Sequence, residues 1–281
     1  MDLVRDRFWI WGHEAGSHTS PRAQQMWAIP GTSRMTPAEA AHYMGIPNCI
    51  MVVFDNLPRP PFHQHALALS PLKQVVWSVI GDASSTRNDR ESDLDEILSL
   101  AERVPNITGA IMDDFFHAGK ARHPPEEISR LGNHLHGAAH PLDLWVVLYH
   151  SQLDQAIGPY LELCDVVTFW TMPGSQLVHL ERNFERFLGV TPNKRRVLGC
   201  YMWNYGEKQP MSVELMRHQC ELGLTWLKTG KIEGMIFLAS CICDLDLEAV
   251  EWTRTWINQV GDEPLVRSLS PIEGEQHETM V

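Results

Sequence analysis

Asp113 and Asp114 stand side by side in ITGAIMDDFFH, residues 107–117. Two carboxyls that close raise each other's proton affinity, so one can hold a proton near neutral pH while the other stays ionised. General acid–base catalysis and attack by a carboxylate both need that division. A lone aspartate after a strand is as often a turn or helix-cap residue. The pair, followed at once by Phe115, Phe116 and His117, points to a site. Neighbouring side chains on an extended strand face opposite ways, so both reach one site only where the chain turns. The apolar run before the pair reads as a buried parallel strand, and barrels present catalytic groups at the C-terminal ends of such strands.

The rest of the sequence supplies the barrel. Short apolar runs bounded by turn residues predict strands over 7–12, 48–54, 74–80, 107–112, 142–149, 165–170, 196–203 and 232–239. Helices are predicted between them. Thr36, Pro37 and Glu39 give an N-cap, a first-turn proline and a capping box, with Gly45 as the stop. The next helix, 63–73, is broken by Pro71, and Ser92 caps a third over 92–104 in which Leu94, Ile97, Leu98 and Ala101 share a face. Further helices are expected over 124–139, 151–163, 175–188, 211–228 and 247–259, while 13–27 has loop composition. Eight strands alternating with eight helices form the α/β pattern of a single (β/α)8 TIM barrel. The barrel spans residues 1–260, and 261–281 is a polar C-terminal tail.

Each strand of a barrel exports side chains to one mouth. The first exports Trp11, His13, Glu14 and His18; the second and third, Asp55 and Asp82. The fourth delivers Asp113, Asp114 and His117, and the fifth Tyr149 and His150. Trp170 ends the sixth, and Trp203, Asn204, Tyr205 and Glu207 follow the seventh. Flat aromatic faces set among carboxylates and amides suit a polyhydroxylated ligand, whose C–H faces stack and whose hydroxyls need partners. A carbohydrate is therefore the expected substrate. Trp9, Trp145, Trp226, Trp252 and Trp256 are expected to be core, and Asp244 and Asp246, just before the last helix, to be caps.

With DDFF after the fourth strand and YMWNYGE after the seventh, the chain resembles the barrel-type glycoside hydrolases. Members of the large retaining clan have an acid/base after strand four and a nucleophile after strand seven. The resemblance implies Asp113 or Asp114 in the first role and Glu207 in the second, although Asp-Asp stands where that clan has Asn-Glu. Chitinase-like barrels are similar too, through Tyr201, Trp203 and the acidic fourth strand, but the final Glu of their DxxDxDxE motif is missing. No cofactor is implied.

Two other readings fit the same residues. A metal-dependent barrel hydrolase or isomerase could use His13, Glu14, His18, Asp55, Asp113, His117 and His150, which offer the mixed nitrogen and oxygen donors that zinc or manganese accepts. A non-catalytic carbohydrate-binding barrel would keep the aromatics and reduce the aspartates to caps. The net charge of −12 argues against a nucleic-acid or anionic-membrane surface. Six cysteines without CxxC spacing read as buried free thiols, and a charged N-terminus without an apolar leader leads to the expectation of a cytoplasmic protein.

Overall fold

A computed structural model describes residues 2–89 and 93–266. Eight parallel strands close into a barrel. They are β1 (Phe8–Gly12), β2 (Asn48–Met51), β3 (Gln74–Ile80), β4 (Ile107–Met112), β5 (Asp143–Tyr149), β6 (Val166–Trp170), β7 (Arg195–Tyr201) and β8 (Gly234–Leu238). Each pairs with its sequence neighbours, and β1 closes on β8 through Phe8 opposite Met235 and Trp11 opposite Leu238. Most strand residues are buried, as strands covered on one side by helices and on the other by a filled interior must be.

Indoles fill that interior. Trp9 and Trp145, from the non-adjacent strands β1 and β5, meet edge to face at 5.2 Å. Trp11 and Trp170, from β1 and β6, do the same at 5.2 Å nearer the C-terminal ends. Trp170 lies so flat against β7 that a Cβ on Gly199 would sit 2.1 Å from its ring. Its Nε1–H donates to Thr168 Oγ1 at 2.8 Å, which satisfies the one polar atom it buries. The barrel is a packed core with a mouth at one end.

The described residues include nine α-helices, of which α1 (Pro21–Trp27) was not expected. It begins in a stretch of loop composition, with Ser20 accepting the Ala23 N–H at 3.2 Å and Pro21 in the first turn. The next, α2 (Pro37–Met44), has the predicted capping box: Thr36 Oγ1 accepts the Glu39 N–H while Glu39 accepts the Thr36 N–H at 2.7 Å. Then come α3 (His63–Leu69), α4 (Leu94–Ala101) and α5 (Pro125–His136). Ser92, expected to cap α4, lies outside the described residues. The helix expected over 151–163 is a 3-10 turn, His150–Gln152, and a single turn, α6 (Gly158–Leu161). Gly158 and Pro159 account for the break, since neither supports a helix interior. The remaining helices are α7 (Leu180–Val190), preceded by a 3-10 segment at Gly174–His179, α8 (Val213–Lys228) and α9 (Glu248–Val260). None of the described helices is long and apolar enough to cross a membrane.

The predicted seventh strand ends early. Tyr201 closes β7, and Trp203–Asn204 turns back to pair antiparallel with Gln209–Pro210. A second such ribbon, Phe116–His117 with Lys120–Ala121, follows β4. At the opposite face of the barrel, the Val4 N–H donates to Glu263 O and the Arg5 N–H to Gly261 O, both at 2.9 Å. Leu3 bridges Pro264, and the Arg5 guanidinium meets Asp262 at 2.7 Å and Gly45 O at 3.0 Å. Residues 261–266 thus lie against the entry to β1; the expected tail from 267 on is outside the described residues.

Candidate active site

The end of β4 settles how two adjacent aspartates can share a site. Asp114 takes a left-handed conformation, φ 41°, so side-chain alternation stops at the pair. The Asp114 N–H donates to Asp113 Oδ1 at 2.8 Å, and both residues line one pocket. The Tyr149 hydroxyl at the end of β5 donates to Asp114 Oδ1 at 2.8 Å, and the Ala83 N–H to Asp114 Oδ2 at 3.1 Å. Asp82, from the end of β3, joins the same wall. It accepts from Ser85 Oγ at 2.6 Å, from Ser84 Oγ at 2.7 Å and from the Asp55 N–H at 3.2 Å.

Burial pushes the Asp113 carboxyl well above the usual carboxylate range, and the charges of Asp114 and Asp82 push it the same way. The Asp114 N–H and the Arg122 guanidinium oppose them. Burial also raises Asp82 against its serine hydrogen bonds. Arg122 braces this wall from behind, donating to the carbonyls of Gly81 and, at 3.1 Å, Ser85. Tyr149 and Tyr201 are held well above the ordinary phenol range by burial and by the charge of Asp114, so both remain hydrogen-bond donors. The arrangement keeps a proton on a carboxyl next to an ionisable partner, which is what acid–base work demands.

A different set of groups gathers on the β1 and β8 side of the pocket. His13 follows β1, His18 sits in a 3-10 turn at Ser17–Thr19, and Cys241 in another at Ser240–Ile242 after β8. The His13 N–H donates to Ser240 Oγ at 2.9 Å, and His13 Nδ1 lies 3.6 Å from Cys241 Sγ. His18 stacks on Phe54 at 4.4 Å with ring planes 12° apart and pairs through Nδ1 with Ser17 Oγ at 3.1 Å. Burial holds the His13 ring well below its ordinary value, brings His18 down to about 4 and pushes the Cys241 thiol up to about 12. Trp11, Trp27, Tyr201, Tyr205, Met172 and Leu238 complete the pocket. Its volume is about 70 Å³. A single water needs roughly 10–15 Å³, so the floor takes one ring edge or a few waters and the mouth must hold the rest of any ligand.

Of the residues singled out from sequence, the structure brings together Trp11, His13, His18, Asp82, Asp113, Asp114, Tyr149 and Tyr205. It does not bring Glu207 to them. That carboxylate is exposed in the turn of the Trp203–Asn204 ribbon, accepting from Asn204 Nδ2 at 2.6 Å and the Ser175 N–H at 3.2 Å, bonds that hold it below the usual carboxylate value. Asn204 serves the same turn through the Gly174 N–H. Trp203 donates to Trp27 O at 3.0 Å, and Trp170 lies in the packed interior. Glu14 faces His65 at 3.6 Å over a separate cavity, Asp55 pairs with Arg22 at 3.0 Å, and His117 is exposed on its ribbon. His150, half-buried, is held below its ordinary value mainly by burial. Sequence reading missed Trp27, Phe54, Met172, Tyr201 and Leu238 as pocket residues, and Cys241 as the buried neighbour of His13. Phe54 and Leu238 fall at the ends of predicted strands, where that position was itself a signal; Cys241 reads as one more buried thiol.

No protein-family model matches the sequence, and no curated protein matches it. Solved structures do match. The glycoside hydrolase domain of PgaB (BpsB) from Bordetella bronchiseptica superposes over 91% of this chain and 99% of its own, with TM-score 0.51 and 10% identity. The catalytic domain of a hyperthermophilic chitinase from Pyrococcus furiosus matches over 85% of both chains, with TM-score 0.53 and 12% identity. A glycoside hydrolase family 17 β-1,3-glucanosyltransferase from Rhizomucor miehei covers 82% of this chain and 86% of its own, with TM-score 0.50 and 10% identity. What they share with this chain is the closed eight-stranded (β/α)8 barrel. At these identities the likeness extends to the fold alone.

Proposed function

We propose that this protein is a glycoside hydrolase-like enzyme that cleaves a glycosidic bond at the mouth of the barrel, with Asp113 and Asp114 as its acid–base pair. The observation behind this reading is the left-handed turn at Asp114, which lets both carboxyls line one aromatic pocket with the Tyr149 hydroxyl on the outer of the two. The buried pair holds one proton between its two groups. It gives that proton to the leaving oxygen as the bond from that oxygen to the anomeric carbon breaks. The doubly ionised pair, with Asp82 beside it, then faces the positive charge that develops at that carbon. Water attacks the carbon and returns a proton to the pair. Trp11, Trp27 and Tyr205 offer ring faces for the sugar, and Tyr149 and Tyr201 offer hydroxyls for its polar edge.

Purified protein assayed against a panel of aryl glycosides and polysaccharides tests this. Turnover that falls at least about 100-fold in Asp113→Asn and in Asp114→Asn supports it. Hydrolysis that survives both changes overturns it, and sugar binding without turnover by the parent protein points to the non-catalytic carbohydrate-binding barrel.

A further inference from the structure

The cluster of His13, His18 and Cys241 beside the pocket plays no part in the proton transfer described above, and its composition is unlike that of the mouth. Among the described residues these three form the one group of His, Cys, Asp or Glu side chains close enough together to hold an ion, with one donor atom from each inside 4.8 Å of the others. We infer that His13, His18 and Cys241 bind a zinc ion on the β1/β8 side of the pocket, leaving the fourth coordination position open to the ligand space. Two nitrogens and a sulfur are a donor set zinc prefers, and three protein ligands with an open position mark a site that can take a substrate group or water.

The geometry is close to what such a site needs. Zinc bonds of about 2.0–2.1 Å to nitrogen and about 2.3 Å to sulfur place tetrahedral donors roughly 3.6 Å apart. His13 Nδ1 and Cys241 Sγ are separated by 3.6 Å. The His18 ring completes the set by moving in toward the other two, from within 4.8 Å. Its Nδ1 is already engaged by Ser17 Oγ, which leaves Nε2 for the ion, and Phe54 fixes the ring plane. Such outer partners orient metal-bound imidazoles generally. All three donors are buried, yet His13 and His18 line the pocket wall, so an ion there would be dry on one side and reachable on the other. The Tyr205 hydroxyl, on a residue 4% exposed that also lines the pocket, interacts with the Cys241 thiol. A hydroxyl donor beside a metal-bound thiolate is the kind of outer partner that orients and stabilises a ligand.

The test uses the full chain, stripped with a chelator and reloaded with Zn²⁺ or Co²⁺. Elemental analysis is expected to find about one zinc per chain after dialysis, in keeping with a single three-donor site. The cobalt form should show a thiolate-to-metal charge-transfer band in the near ultraviolet and the strong visible bands of tetrahedral cobalt. Cys241→Ser should abolish the charge-transfer band. Ser17→Ala should keep it while weakening zinc about 10–100-fold, the usual effect of losing an outer partner. Circular dichroism melts check that both variants fold. Absence of the band in the parent protein overturns the inference, as does a band that persists in Cys241→Ser; should that variant not fold, unchanged zinc affinity in Ser17→Ala overturns it. None of these readouts uses hydrolysis, so failure here leaves the Asp113–Asp114 pair standing, and loss of that pair leaves the spectrum standing.

Discussion

Two arcs of the same rim bury titratable groups in opposite ways. At the ends of β3 and β4, Asp82, Asp113 and Asp114 are wrapped in donors: serine hydroxyls, main-chain N–H groups and a tyrosine. At the ends of β1 and β8, His13, His18 and Cys241 are held mainly by ring packing, with few hydrogen bonds of their own. The first arc keeps negative charge possible in a buried place by surrounding it with dipoles. The second keeps its imidazoles neutral and their lone pairs free. Burial alone therefore does not tell what a polar cluster is for; the partners decide whether it holds protons or offers electron pairs.

The comparison breaks most readily on the carboxylate arc. Asp113→Asn and Asp114→Asn are each expected to lower turnover by about 10²–10⁴-fold, measured as kcat/KM on whichever glycoside the parent protein cleaves. An equal loss in Cys241→Ser with the fold intact would show that the two arcs act as one unit.

Stability against pH separates the arcs next. Asp113 stays protonated in the folded chain above the ordinary value of 3.8, where the unfolded chain has already released its proton. Folded stability must then fall as pH rises from the unfolded value through the raised one. Asp113→Asn carries no such proton, so its Tm should gain on the parent's as pH rises above the ordinary value of 3.8, by an amount equivalent to about 1.4 kcal/mol for each unit by which folding raises the carboxyl. Melting curves that stay parallel across that range would refute the buried proton.

Both arcs rest on the indole floor. Gly199→Ala would press a methyl into Trp170. Overpacking of that kind typically destabilises by about 1–3 kcal/mol, so urea unfolding should show a loss at least this large. An unchanged midpoint would mean that the floor is looser than the packing of Trp170 implies.

A finer probe is Tyr149→Phe, which removes one donor from Asp114. A hydrogen bond to a charged group is worth about 1.5–3 kcal/mol, so turnover should fall roughly tenfold. Turnover that does not change in this variant would detach Asp114 from the chemistry. The smallest effect is expected from Glu207→Gln, with turnover within about twofold of the parent, because its carboxylate serves a surface turn and lies outside the pocket.

These contrasts also show what could be read before any coordinates. Strand runs such as 74–80 and 107–112 came through because a buried parallel strand leaves an unbroken apolar signature. Asp113 and Asp114 were legible because few structural roles need two adjacent carboxylates after such a strand. The left-handed turn that lets them cooperate was not legible, since nothing in the letters at 113–116 requires it. Glu207 looked right by position after β7, but the chain folds back at Trp203 and carries it to the surface. Cys241 was hidden for the opposite reason: its meaning comes from β1 closing on β8, a contact between residues 228 positions apart.

The bridge between Leu3 and Pro264 holds one more consequence. It sets the two ends of the barrel's chain side by side, on the face away from the mouth, so the path through the eight strands is nearly a closed ring. Joining those points by a short linker and opening the chain instead at Gly119, an exposed turn whose surroundings leave space for a side chain, should preserve the barrel and its rim. In such a permuted protein the barrel strand that comes first would be the one after the aspartates, and the β1/β8 arc, split in the present order between the two ends of the sequence, would be synthesised together and before the carboxylates.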